Sequence, residues 1–84
     1  MFVKICGITN EDDALLSVAM GADAVGFNFV NGSSRQIAPQ QAYDITRRLP
    51  PEVLTVGIFR NELPERVVQQ AMVAGVKAVQ LHGN

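Results

Sequence analysis

Gly21-Ala22-Asp23-Ala24-Val25-Gly26-Phe27 reads as a helix-stopping glycine, a polar corner and the start of a β-like run, and Gly75-Val76-Lys77-Ala78-Val79 repeats that order further along the chain. Both junctions mark a helix handing over to a strand, so the chain is built from repeated βα units. Val25-Gly26-Phe27 is echoed again by Val56-Gly57-Ile58. Outward from these anchors the pattern predicts strands over Phe2 to Cys6, Ala24 to Phe29, Leu54 to Phe59 and Ala78 to Leu81. Between them lie three segments of helical period. The first runs over about Glu11 to Met20, with Thr9 or Asn10 able to cap it and Glu11, Asp12 and Asp13 suiting its positive end. The second starts at Pro39 and ends at Pro50-Pro51, and the third starts at Pro64 and stops at Gly75. The sheet-facing stripes predicted for them are Ala14, Leu15, Val18 and Ala19; Ala42, Ile45 and Leu49; and Val67, Val68, Ala71 and Met72.

Strand starts at residues 2, 24, 54 and 78 leave room for one helix in each interval. Right-handed crossovers between parallel strands taken in sequence order place all three helices on one face, and such a layer curls toward a barrel. The fold class is therefore α/β, with four parallel strands and three helices forming the N-terminal half of a (β/α)8 barrel, which needs about 250 residues when complete. Residues 1–84 are expected to be a single, incomplete barrel domain whose fourth strand ends without a covering helix.

Composition narrows the function. Seven basic residues against eight acidic ones give a net charge of −1, and the basic ones form no stripe that could follow a phosphate backbone, so nucleic acid is not the expected partner. No apolar stretch approaches the ~18 residues of a membrane span, and the N-terminus lacks a secretion signal, so a cytoplasmic, non-membrane protein is expected. One cysteine and one histidine, Cys6 and His82, are too few for a structural zinc site.

Five segments carry a family resemblance. Val3-Lys4-Ile5-Cys6-Gly7-Ile8-Thr9, Gly21-Ala22-Asp23-Ala24-Val25-Gly26-Phe27, Ser34-Arg35, Val56-Gly57-Ile58-Phe59 and Val79-Gln80-Leu81-His82-Gly83 resemble, in order, the phosphoribosylanthranilate isomerases of tryptophan biosynthesis. Two positions depart from the usual pattern: Asn28, where an aliphatic residue is commoner, and Ala38, where a capping serine is. The resemblance implies an aldose–ketose (Amadori) isomerisation of a small phosphoribosyl substrate, without a cofactor. An acid protonates the ring oxygen of the N-ribosyl anthranilate, and a base removes the C2′ proton of the opened iminium. The resulting enolamine tautomerises to the ketone.

Cys6 matches the family's base. A thiol suits that task because its reference pKa of ~8.5 lies near neutrality. A lone strand cysteine is more often a small core residue, and it is the motif that turns the reading toward catalysis. Strand parity puts Lys4 with Cys6, and Gln80 with His82, on the face away from the helices, with Cys6 and His82 at the C-terminal rim where barrels place their active sites. Arg35, on the loop after the second strand, is implied to hold an anionic part of the substrate such as the anthranilate carboxylate, and His82 is a second substrate-binding candidate. The family's acid and phosphate site match nothing in residues 1–84, so these residues alone are expected not to turn over substrate. Two other classes fit the same pattern: a non-catalytic half-barrel that self-associates or pairs with a complementary half, and a different phosphosugar barrel.

Overall fold

A computed structural model describes residues 1–82; Gly83, the last residue of the fifth resemblance segment, lies outside the described residues. The elements are β1 (Lys4–Ile5), α1 (Glu11–Ala19), β2 (Ala24–Asn28), α2 (Pro39–Thr46), β3 (Leu54–Arg60), α3 (Pro64–Ala74) and β4 (Ala78–His82). The four strands form one parallel sheet in the order β1-β2-β3-β4. No described helix is long and apolar enough to cross a membrane.

One face of the sheet is the core. Val25, Phe27 and Phe29 from the β2 segment and Val53 and Phe59 from the β3 segment pack against Ala14 of α1, Ala42 and Ile45 of α2, and Val67 and Ala74 of α3, all buried. The Phe29 and Phe59 rings meet at 5.2 Å over Gly57, where an added Cβ would come within 2.9 Å of the Phe29 ring. The only buried polar residue among those described is Thr55, whose Oγ1 accepts from the Lys77 backbone N–H at 3.1 Å. The opposite face carries Lys4, Ala24, Gly26, Asn28, Val56, Ile58, Arg60, Ala78, Gln80 and His82 by strand alternation and register. Lys4 on β1 donates to the Gln80 carboxamide oxygen on β4, across two intervening strands. In a flat sheet the two edges would stand about 14 Å apart, so this bridge records a sheet already curling around its polar face.

The helix caps follow the residues. Asn10 Oδ1 accepts from the Asp13 N–H at 2.8 Å, which settles the choice between Thr9 and Asn10. Gly75 ends α3 in the left-handed region at φ 71°, a conformation open to glycine without strain. Ala38, at the N-cap of α2, has no side-chain acceptor to offer; only the Gln41 side chain helps, accepting from the Ala38 N–H at 3.3 Å.

Several predicted boundaries and faces shift. β1 is two residues, not five. Its entry is tied to a corner instead of a ladder: Val3 donates to Asp23 Oδ2 at 2.8 Å while its carbonyl accepts from Asp23 N–H (2.8 Å) and Ala24 N–H (3.2 Å). β2 closes at Asn28, whereas β3 and β4 each extend one residue further, to Arg60 and His82. Leu49 is buried as expected, but beyond the end of α2. In α1 Ala14 is buried and Val18 partly so, while Leu15 and Ala19 are exposed, since α1 packs on β2 near the β1 edge of the sheet. In α3 the buried line is Val67–Ala74, and Met72 is 76% exposed, since no described helix covers the outer face of β4 beside it. The Val-Gly echo also breaks in space. Gly26 pairs with Val56 and not with Gly57, so the two glycines face opposite sides of the sheet.

Candidate functional site

The C-terminal ends of the strands carry the polar groups, and the loops that follow them hold those groups in place. After β1 the chain passes Cys6 and takes a left-handed conformation at Gly7 (φ 80°); beyond it Ile8 N–H donates to the Gly26 carbonyl at 3.1 Å and the Ile8 side chain is buried. This turn leaves Cys6 exposed on the polar face. An added Cβ on Gly26 would lie 3.3 Å from both Cys6 Sγ and Ile58 Cδ1, so the glycine supplies the gap in which the thiol sits.

The loop between β2 and α2 is pinned by Asn28. Its Oδ1 accepts from Val30 N–H at 2.8 Å, its Nδ2 donates to Ser33 Oγ at 3.0 Å, and its carbonyl accepts from Ile37 N–H at 3.0 Å. Ser33 Oγ in turn accepts from the Arg35 N–H at 3.2 Å. The Arg35 side chain is thereby brought over Gly7, where Nη1 approaches the carbonyl oxygen at 3.4 Å. An aliphatic residue at position 28 could make none of these side-chain bonds, so the departure noted in the sequence has a structural role.

At the end of β4, His82 stands in register with Arg60 of β3, and its Nε2 lies 2.8 Å from Gln80 Nε2. His82 lines an open cavity of about 330 Å3 together with residues that include Asn28, Ser33, Ile58 and Arg60. Cys6 and Arg35 do not line it. The structure thus joins Arg35 to the turn that follows Cys6, and sets His82 beside a separate recess on the same rim. Arg60 escaped the sequence reading, although alternation from Ile58 would have put it on this face. Among the described residues, neither Arg35 nor Arg60 forms a salt bridge. Among the described residues no three His, Cys, Asp or Glu side chains are grouped to hold a metal.

The sequence profile of the N-(5'-phosphoribosyl)anthranilate (PRA) isomerases matches residues 3–84. The chain belongs to the PRA isomerase family. A PRA isomerase from Thermotoga neapolitana is 56% identical over 82 residues, which cover 98% of this chain and 40% of the relative. The PRA isomerase of Thermus thermophilus superposes with a TM-score of 0.97 at 49% identity, covering all of this chain and 42% of that structure. A PRA isomerase solved in complex with reduced 1-(o-carboxyphenylamino)-1-deoxyribulose 5-phosphate gives the same TM-score at 54% identity, covering all of this chain and 43% of the other. The chain therefore spans about 40% of the length of the curated relatives it matches. Its α/β layer of four parallel strands and three helices has the architecture of the N-terminal half of a PRA isomerase (β/α)8 barrel.

Proposed function

We propose that residues 1–84 form part of one barrel domain that isomerises N-(5'-phosphoribosyl)anthranilate to 1-(2-carboxyphenylamino)-1-deoxyribulose 5-phosphate. Cys6 is the base that takes the C2′ proton, Arg35 holds the anthranilate carboxylate, and His82 contacts the substrate from β4. The observation that carries this reading is the match of residues 3–84 to the family profile, with Cys6 exposed on the polar face at the barrel rim. A guanidinium seated over the turn that follows the thiol suits it, because it can orient a planar carboxylate beside the base. None of residues 1–84 matches the family's acid, so the turnover belongs to a longer assembly.

The test is a chimaera in which residues 1–84 replace the matching segment of the Thermotoga neapolitana PRA isomerase. It should isomerise substrate, and Cys6→Ala should lower kcat about 10²–10⁴-fold, the usual contribution of a positioned base. A Cys6→Ala chimaera as active as its parent would remove Cys6 from the mechanism, and the 84-residue chain alone should show no turnover above background.

A second reading rests on the open groove beside β4, where Val67, Val68, Ala71 and Met72 of α3 face Val79. This apolar strip is a surface for association with a second copy or with a complementary half-barrel. A sedimentation mass that rises with concentration supports it, and a constant monomer mass rejects self-association.

A further inference from the structure

The Lys4–Gln80–His82 row runs across the polar face, from the first strand to the last described one. A lysine ammonium has three donors and no acceptor, so the group that Gln80 turns toward Lys4 must be its carbonyl oxygen. That leaves the Gln80 amino group facing the imidazole, with its Nε2 at 2.8 Å from His82 Nε2. An amide NH2 can only donate. His82 Nε2 must therefore accept, and in the neutral ring the proton is on Nδ1.

We propose that Lys4 and Gln80 are positioning residues that select the Nδ1–H tautomer of His82, so that the ring meets a ligand as a hydrogen-bond donor. With Nε2 engaged, Nδ1–H is the ring's other polar atom, without a hydrogen-bond partner among the described residues, and His82 lines the recess with Asn28, Ser33, Ile58 and Arg60. Arg60, in register with His82 on the neighbouring strand, adds further donors, so the recess is furnished for an acceptor-rich, anionic group. The tautomer stands independently of any activity, whereas the ligand-facing role rests on the isomerase reading above.

His82 is the chain's one histidine, so its ring nitrogens can be followed in 15N-labelled protein without assignment. In alkaline buffer, where an imidazole is neutral, long-range proton–nitrogen correlations should show Nδ1 as the protonated nitrogen and Nε2 as the bare one. Gln80→Glu keeps the shape but removes the donor, and it should reverse the pattern because only Nε2–H can then bond to the carboxylate. Lys4→Met frees the amide to turn and should give a mixture, while Lys4→Arg should retain the parent pattern. An Nε2–H ring in the parent chain, or an unchanged pattern in both Gln80→Glu and Lys4→Met, overturns the proposal.

In the chimaera, Gln80→Glu should raise KM about tenfold, the worth of one good hydrogen bond, with kcat changed less. A reversed tautomer with KM unmoved would overturn the ligand-facing role alone. An inactive parent chimaera with the Nδ1–H ring intact would instead count against the isomerase reading.

Discussion

On the helix-covered face of the sheet, Val25, Phe27, Phe29 and Phe59 are buried and held by packing, whereas on the opposite face Lys4, Asn28, Gln80 and His82 are held by directed hydrogen bonds and remain open to solvent or partly so. The same strands supply both sets, alternating residue by residue. Packing is indifferent to which atom meets which, provided volume is filled; ligand binding and proton transfer need particular atoms at particular places. Stability should therefore be concentrated on one side of these strands and chemistry on the other.

Substitutions that test the division span a wide range of effects on stability. Phe27→Ala empties the centre of the packed face and should cost about 3–5 kcal/mol. A chain of this length has on the order of 4–12 kcal/mol in all, so the denaturant midpoint should fall steeply or the chain should fail to fold. Gly57→Ala pushes a methyl group into the Phe29–Phe59 pair and should cost about 1–3 kcal/mol, read as a lower thermal midpoint. Asn28→Ala removes two side-chain hydrogen bonds from the polar face and should cost about 1–2 kcal/mol, with faster hydrogen exchange at Val30 as its local sign. Cys6→Ala, next to these on the same face, should leave stability within about 0.5 kcal/mol while abolishing most chimaera activity. A Cys6→Ala loss as large as that of Gly57→Ala would break the division, because the thiol would then be a core group.

What was legible in the sequence follows the same line. The element order, the parallel sheet and the Asn10, Pro39, Pro64 and Gly75 boundaries were readable because caps, prolines and glycines act within a few residues of themselves. The faces of α1 and α3 were read less well, since periodicity says which residues share a stripe and not how far the helix rolls toward a neighbour. Val68 and Met72 share the α3 stripe and are exposed all the same. The Val-Gly echo marked the repeated units but carried no register, and a slip of one residue sends Gly26 and Gly57 to opposite faces. At the candidate site, strand parity put Cys6 and His82 on the polar rim. The anchoring by Asn28, the contribution of Arg60 and the row from Lys4 to His82 depend on strands brought together by the curl, which no local pattern encodes.

The short first strand has a consequence for motion. Among the described residues Lys4–Ile5 pairs only with β2, over two residues against five in each of the other two ladders, and its further ties are the Val3–Asp23 corner and the Lys4–Gln80 bond. Elements of that kind open by themselves without the rest of the molecule unfolding. The amide of Ile5 should exchange with deuterium well before that of Phe27, and each such opening carries Cys6 away from Gly26 and Arg35. The thiol at the candidate site therefore follows the strand with the shortest ladder, so its approach to Gly26 and Arg35 depends on the docking of that strand.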